Sequence, residues 1–355
     1  MAGLIIPYSP VNPYQAELIK NLAKLNIDLR VSKRNKRLSV FKNRKVYQKY
    51  DFVHLHWTHS FMIGEDRLSS LRKSITFIID LFLLRIMKVK IIWTVHNLTN
   101  HDKRNVKIEK FFLSIIARYL ANQIIVHGKS IAVDIKRLYK IPAKKSSKIN
   151  IIPHGNYKDY YRNQVGKEAA RKFLSLDRSD FVYLFLGLIR DYKGVGYLVD
   201  QFTKMNLKDA KLLIAGMVLP SNKSAEGSLS PSIEGSENII TSFSYIPDDL
   251  LQYYLNAADV VVLPYTSIST SGSLILAMSF NKAVIIPDLG FVSEVIDSKG
   301  GIVYDSTREN ALEEAMKEIR NKDVHEMGIN NGHLMENLYG WKKIAYKTKL
   351  VYQKN

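Results

Sequence analysis

The chain alternates short apolar runs with amphipathic segments, and this alternation limits the folds it can adopt more than any other feature. The apolar runs of the first half are GLIIPY, FVHLHW, KIIWTVHN and QIIVHG. Segments with helical periodicity separate them, around residues 15–25, 69–90 and 108–121. Strand-length apolar runs that alternate with helical segments are typical of a parallel sheet with crossover helices. The pattern therefore predicts an α/β fold.

A second series of the same kind follows, with the apolar runs FVYLFLG, AKLLIAG, NIITSFSY, DVVVLPY and AVIIP. Between the two series, residues 153–166 lack a clear period and carry Pro, Gly, Asn and several tyrosines, as expected at a domain boundary. We therefore predict two Rossmann-like domains, residues 1–160 and 161–327. The segment 328–355 has a helical pattern, and we expect it to dock back onto the first domain.

The composition limits the classes of site and partner. The 355 residues include no cysteine, which excludes disulfides and thiolate metal sites. The N-terminus has no charged segment followed by a long apolar core, so it does not resemble a secretory signal, and we expect a cytoplasmic protein. There are 52 Lys and Arg residues against 33 Asp and Glu, a formal net charge of +19. Such an excess indicates an anionic partner, which from charge alone is nucleic acid, phospholipid or a phosphorylated substrate.

Two segments concentrate this charge in the first half. Residues 33–49 hold eight Lys and Arg residues and no acidic residue. Residues 69–90 mix Ile, Phe and Leu with five cations, and Asp80 makes the apolar stretch too short to span a bilayer. An amphipathic helix of this type can lie on an anionic membrane, and we expect a peripheral position on the inner face of the plasma membrane. The alternatives are a solvated basic loop and a helix packed in the core.

Two turns of the second half are suited to phosphate. In FLGLIRDYKGVGYL a strand ends at Gly187, and Arg190 and Lys193 precede a helix. Cations at a helix start oppose the helix dipole, and a bound pyrophosphate would resolve that misfit. The second turn is a hydroxyl-rich loop after Pro264, where Gly272 opens a helix of small residues. The alternatives are surface charges for the first turn and a helix cap for the second.

Histidines mark the ends of apolar runs in the first half. His96 directly follows one run, and His54 and His56 share one face of another. Because no carboxylates cluster with them, we expect no metal site. Seven of the nine histidines precede residue 155, which favours a first domain that handles an acceptor and transfers protons.

In their order and spacing, these motifs resemble those of the GT-B-fold glycosyltransferases, in particular the bacterial members near family 4 that build surface polysaccharides and glycolipids. The matching pieces include HLHWTH, WTVHNLTNHD, IIVHGKS, IIPHGNY, FLGLIRDYKGVGYLVDQF and SGSLILAMSFNKAVIIPDLG, and they cover nearly the whole chain. The resemblance implies two Rossmann-like domains that face each other across a cleft. It also implies transfer of a hexose-type sugar from a UDP- or GDP-sugar to a hydroxyl of a polyprenyl-linked or polysaccharide acceptor, without cofactor or metal.

The resemblance also implies roles for individual residues. Arg190 and Lys193 would bind the donor diphosphate, and His96 would lie beside the transferred sugar. Further donor contacts are expected from Gly187, Tyr245, Ile246, Tyr265, Ser271, Gly272, Ser273 and Glu294. Acceptor contacts are expected from Asn12, Tyr14, His59, Asn97 and Asp102.

One departure from the family leaves the stereochemistry open. Many retaining members carry two glutamates before and within the small-residue helix, where this chain has Ile268 and Leu276. A retaining reaction needs no enzymic base, since the departing diphosphate can accept the proton of the acceptor hydroxyl. An inverting reaction needs a base, for which His96 and Asp102 are the candidates.

Two other classes of function stay open on the sequence alone. A nucleotide-sugar 2-epimerase shares the fold and acts on one small substrate without a membrane. A nucleic-acid binder would use the net charge of +19, although the chain shows no recognition motif of the usual binding folds. We therefore expect glycosyl transfer and no nucleic-acid partner.

Overall fold

The computed structural model describes residues 1–10, 12–32, 37–100, 103–218, 233 and 236–354. They form two compact units, one of residues 1–155 with 339–355 and the other of residues 156–338. The change of unit falls between Gly155 and Asn156, a few residues before the expected boundary after residue 160. Residues 328–338 belong to the second unit, so the segment that returns to the first unit is shorter than expected.

The first unit is built on a six-stranded parallel sheet with the strand order β2-β1-β3-β4-β5-β6. Its strands are β1 (Ala2–Ile6), β2 (Asp28–Val31), β3 (Phe52–Leu55), β4 (Lys90–Thr94), β5 (Gln123–Val126) and β6 (Ile149–Ile151). Its first helices are α1 (Pro13–Ala23), α2 (Arg44–Tyr47), α3 (His59–Met62), α4 (Arg67–Ile86), α5 (Val106–Ile115) and α6 (Lys129–Leu138). The inner strands β1, β3, β4 and β5 are almost entirely buried, as continuous apolar runs in a parallel sheet require, whereas the edge strands β2 and β6 are mostly exposed or half-buried.

The second unit has its own six-stranded parallel sheet, with the order β12-β11-β10-β7-β8-β9. Its strands are β7 (Phe181–Leu186), β8 (Ala210–Ala215), β9 (Ile239–Ser242), β10 (Val260–Val262), β11 (Ala283–Pro287) and β12 (Gly301–Tyr304). Its helices are α7 (Lys167–Phe173), α8 (Val195–Met205), α9 (Leu251–Ala257), α10 (Gly272–Ser279), α11 (Ala311–Ile319) and α12 (Val324–Tyr339). Two parallel sheets with connecting helices confirm the predicted α/β fold.

The last two helices belong to different units because they pack on different partners. In α12, Gly328 and Gly332 approach Asn281 so closely that an added Cβ would lie 2.0 Å from one of its oxygen atoms, which holds this helix on the second unit. The final helix, α13 (Trp341–Gln353), instead contributes Trp341 and Tyr352 to the buried core of the first unit. This core also contains the α1 leucines and strand residues of the sheet.

Helix α4 has an unusual distribution of polarity. Its buried face includes Ser70, Ser74 and Asp80, whose polar atoms are used in hydrogen bonds. Its outer face carries six large apolar side chains, each 40–62% exposed, at helical spacing: Leu68, Leu71, Ile75, Ile79, Phe82 and Ile86. No helix in the described part of the chain is long and apolar enough to cross a membrane. The helix thus packs on its unit through a partly polar face and turns an apolar face outward.

Candidate functional site

The two turns predicted to bind phosphate meet at the carboxyl edge of the second sheet. Gly187 (φ +145°) and Gly216 (φ +141°) directly follow strands β7 and β8, and a Cβ on Gly216 would lie 2.0 Å from the carbonyl oxygen of Gly187. A Cβ on Gly187 would lie 2.9 Å from Nζ of Lys193 and 3.2 Å from Oγ of Ser273. Glycine at position 187 therefore leaves room for an ammonium and a hydroxyl that come from the two different turns.

Lys193 is half-buried, and its side-chain ammonium has neither an ion pair nor a hydrogen bond within the described part of the chain. Its Nζ lies 5.7 Å from the ring centroid of Tyr265 and 5.9 Å from that of Phe185. Burial lowers the pKa of Lys193, and the nearby charge of Arg190 lowers it further against the opposing effect of Tyr192. Arg190 is also half-buried and, among the described residues, has no acidic partner. Two such cations would be stabilised by an anion bound between them.

The turn that carries Lys193 is fixed by contacts with the loop after β10. Gly194 has φ +67°, and a Cβ there would lie 2.1 Å from the carbonyl oxygen of Pro264. The amide of Thr266 donates a hydrogen bond of 2.8 Å to the carbonyl of Tyr192. These contacts position the Tyr265 ring beside Lys193 and place the start of α8 next to the loop that leads to α10.

The start of α10 combines a cap with open amides. Ser271 is the N-cap, and its Oγ accepts a hydrogen bond of 3.0 Å from the amide of Leu274. Ser271 therefore caps the helix, as the alternative interpretation predicted. The cap still leaves two amide donors at this helix start, because the amides of Gly272 and Ser273 have no partner among the described residues. Tyr157, which the sequence analysis did not single out, places its hydroxyl 3.4 Å from the position of a Cβ on Gly272. The run of tyrosines at 157, 160 and 161 was the available signal.

The other predicted donor residues also follow strands of the second sheet. Tyr245 and Ile246 lie in the loop after β9, where Tyr245 is exposed and Ile246 half-buried. Glu294 is exposed and ends a short 3₁₀ turn, Val292–Glu294, after β11. Their roles in donor binding stay predictions.

The carboxyl edge of the first sheet is lined by five buried histidines. His54 lies in β3, and the other four follow the ends of β3, β4, β5 and β6: His56, His96, His127 and His154. The sequence analysis did not single out His127 and His154, although a histidine recurs after successive apolar runs in FVHLHW, WTVHN, IIVHG and IIPHG. Within the described residues, no group of three or more His, Asp or Glu side chains is arranged to hold a metal ion.

Three of these rings are joined in a hydrogen-bonded chain. Nδ1 of His56 lies 2.9 Å from Nε2 of His96, and Nδ1 of His96 lies 3.4 Å from Nε2 of His127. Nδ1 of His127 lies 3.0 Å from the carbonyl oxygen of Ile152. Burial lowers the pKa of His127 to about 4 and, with help from neighbouring histidines, holds the pKa values of His56 and His96 well below their usual range. The three rings are therefore neutral at pH 7.

The remaining candidates of the first unit have varied surroundings. Asn12 caps α1 by accepting a hydrogen bond of 3.0 Å from the amide of Tyr14, and Tyr14 is buried with its ring against four of the histidines. His59 begins α3, and Asn97 is half-buried after β4. Asp102 lies outside the described residues.

His96 is covered rather than open. The residue is only 7% exposed, and the half-exposed Trp57 stacks on its ring at a centroid distance of 4.5 Å. Both of its ring nitrogens face other imidazoles. A role for His96 as a direct base, which the sequence suggested, stays a prediction.

Comparison with solved structures defines the class of fold. The chain aligns with sucrose-phosphate synthase from Thermosynechococcus elongatus with a TM-score of 0.77 and 18% identity, covering 99% of this chain and 98% of that one. It aligns equally with HepE from Anabaena, in a complex with UDP and glucose, with a TM-score of 0.77, 12% identity and 98% coverage of both chains. These likenesses confirm the GT-B fold.

The sequence comparisons find similarity to glycosyltransferases. Residues 180–322, which include Gly187, Lys193 and Ser273, match the family model described as "Glycosyl transferases group 1". A GDP-mannose:glycolipid 4-beta-D-mannosyltransferase from Xanthomonas campestris pv. campestris is 24% identical over 242 residues, which are 67% of this chain and 62% of that protein. The alignment thus spans less than two thirds of that relative. These matches confirm the resemblance to group 1 glycosyltransferases inferred from the motifs.

Proposed function

We propose that this protein transfers a hexose-type sugar from a nucleotide-diphosphate sugar to a hydroxyl of a lipid-linked or polysaccharide acceptor. The observation that carries the proposal is the unpaired ammonium of Lys193, which lies beside Gly187 and the Ser273 hydroxyl at the carboxyl edge of the second sheet. Ligands of open parallel sheets bind at this edge. The family match over residues 180–322 includes all of these residues.

The arrangement suits the leaving group of such a transfer. As the bond from the anomeric carbon to the diphosphate breaks, its electron pair passes to the phosphate oxygen and negative charge grows there. Lys193, Arg190 and the open amides of Gly272 and Ser273 would stabilise that charge through fixed positive groups. These groups supply the positive charge without a metal ion, so we propose a metal-independent reaction.

The donor and acceptor are proposed from chemistry and from the relatives. The Xanthomonas relative is named for GDP-mannose and a glycolipid, and HepE was solved with UDP and glucose, so a GDP- or UDP-sugar is the proposed donor. The acceptor hydroxyl attacks the anomeric carbon and loses its proton, which goes to the departing diphosphate in a retaining reaction and to a base in an inverting one. The anomeric configuration of the product, read by NMR, decides between the two.

Binding of the correct donor nucleotide is expected to raise the melting temperature. A ligand at 100 times its Kd stabilises the native state by roughly 2.7 kcal/mol. The measurement is a thermal-shift series with UDP, GDP, UDP-glucose and GDP-mannose, repeated in EDTA. The Lys193→Ala variant should lose the shift. No shift with any nucleotide at millimolar concentration would contradict a donor site, and sugar conversion without an acceptor would identify an epimerase instead.

We further propose that the outer face of α4 lies on an anionic membrane at the cytoplasmic side. Its six exposed apolar side chains would enter the acyl boundary. On another side of α4, a cavity of about 160 Å³ is lined by the cations Arg37, Arg72 and Lys73, by apolar residues such as Phe61 and Phe77, and by Asp80. Arg37 and Arg72 have no ion pair within the described residues, so they are free to bind anionic headgroups.

Replacing Ile79 and Phe82 with glutamate is expected to weaken binding to anionic vesicles by about tenfold or more, a loss of about 1.4 kcal/mol. The measurement is sedimentation with phosphatidylglycerol vesicles, with phosphatidylcholine vesicles as the neutral comparison. The matched control replaces Tyr346 and Leu350, which are exposed on α13 of the same unit. Wild-type protein that ignores anionic vesicles, or a double variant that binds them as well as wild type, would contradict the membrane face.

A further inference from the structure

The hydrogen-bonded chain of histidines has one consistent direction. The carbonyl oxygen of Ile152 can only accept, so His127 carries its proton on Nδ1, and the neutral ring has a lone pair on Nε2. That lone pair requires a proton on Nδ1 of His96, which leaves a lone pair on Nε2 of His96. The lone pair on Nε2 of His96 in turn requires a proton on Nδ1 of His56, which donates to it. A single backbone carbonyl thus selects the tautomers of three rings.

The chain ends on an atom without a donor. Nε2 of His56 is buried and has no hydrogen-bond partner within the described residues, and the residue is only 1% exposed. Native proteins rarely leave a buried polar atom unpaired, because its lost hydration is not replaced. By the tautomers just derived, this atom presents a lone pair. A buried lone pair at the end of a donor chain is an arrangement that can receive a proton.

We propose that His56, His96 and His127 act together as one base, a proton relay that takes up a proton at Nε2 of His56 and passes it transiently to His127. The Nδ1 proton of His56 passes to Nε2 of His96, and the Nδ1 proton of His96 passes to Nε2 of His127. His127 becomes an imidazolium that still donates from Nδ1 to Ile152. One proton enters, one positive charge results, and no bond between heavy atoms changes.

The surroundings of the relay are consistent with this role. The rings lie at the carboxyl edge of the first sheet, and Trp57, half-exposed, stacks on His96 and lies 5.6 Å from the ring of His56. The other titratable rings against the three are His54, His154 and Tyr14. As the acceptor for the proton of the attacking hydroxyl, the relay would serve an inverting transfer, and this part of the inference rests on the proposed function with that outcome.

The tautomers can be measured in the full-length protein labelled with ¹⁵N-histidine, independently of any activity. His56, His96 and His127 are each expected to be neutral with the proton on Nδ1. His127→Phe removes the acceptor for His96, so His96 and His56 should gain a population protonated on Nε2. His154→Phe is the control, because the His154 ring packs on the His127 ring at a centroid distance of 5.2 Å but is not part of the hydrogen-bonded series of three histidines. A wild-type His56 or His96 protonated on Nε2, or unchanged tautomers in His127→Phe, would overturn the relay.

The role in transfer is tested separately with His127→Gln, which keeps an acceptor for His96 but cannot hold the relayed proton. This variant should retain the Nδ1 tautomer at His96 and lower kcat by about 10²-fold, with the KM of the donor unchanged. Because glutamine is close to histidine in volume, His127→Gln can still be tested if His127→Phe does not fold. Wild-type protein without transferase activity would contradict the proposed function and leave the tautomer result intact. Full kcat in His127→Gln would contradict the relay's part in catalysis alone.

Discussion

Replacing Lys193 with alanine is expected to lower the transfer rate by about 10²–10³-fold while the protein remains folded. The reason is that the ammonium has no structural partner in the described part of the chain, so its removal leaves no buried acid uncompensated. It does remove the fixed charge nearest to Gly187 and Ser273, where the diphosphate is proposed to leave. Arg190→Ala should act in the same direction. The measurement is steady-state transfer with the donor found by thermal shift, together with the melting temperature.

The matched control is Lys204→Ala, since Lys204 is an exposed lysine in the last turn of α8, the same helix that begins after Lys193. It should keep the wild-type rate and melting temperature. Wild-type kcat in both Lys193→Ala and Arg190→Ala would remove the donor site from this turn. A large loss of stability in Lys193→Ala would instead show that the lysine is structural.

Gly194→Ala is expected to disrupt the same site through the backbone. A Cβ at this position would lie 2.1 Å from the carbonyl oxygen of Pro264, and the residue has φ +67°. Backbone strain of a non-glycine residue in the left-handed region costs about 1–3 kcal/mol, and so does the steric clash with the Pro264 loop, which would have to move. We expect a loss of about 2–4 kcal/mol in the free energy of unfolding, measured by denaturant titration, and loss of the donor-induced thermal shift.

Gly166→Ala provides the comparison for this substitution. Gly166 precedes α7 in the same unit, and no atom lies within 4 Å of the position its Cβ would take. It should leave both stability and donor binding close to those of the wild type. If Gly194→Ala behaves like Gly166→Ala, the two turns are not held together by the contact described above.

Local patterns in the sequence were enough to predict the parallel sheets and the turn that carries Lys193. Each depends on neighbours along the chain: an apolar run, then glycine, then cations before a helix. The Ser271 turn shows the limit of such patterns, since a helix cap and a phosphate-binding turn use the same residue types. In the structure Ser271 caps the helix while the next two amides stay open.

The histidine cluster and the outer face of α4 depend on contacts between distant parts of the chain. His127 and His154 meet His96 because β4, β5 and β6 are neighbours in the sheet, an order that local periodicity does not contain. Periodicity likewise predicted an amphipathic α4 without its orientation. Its inward face includes Asp80, which accepts hydrogen bonds from the backbone amides of Ser39 and Val40, forty residues earlier.

The return of α13 to the first unit has a consequence for synthesis on the ribosome. When residue 338 has been added, every residue of the second unit is present, whereas the first unit still lacks Trp341 and Tyr352 from its core. Domains generally fold as units as soon as their residues are available. The core of the first unit can therefore close only after residue 352 has been synthesised, although most of that unit is encoded before the second one.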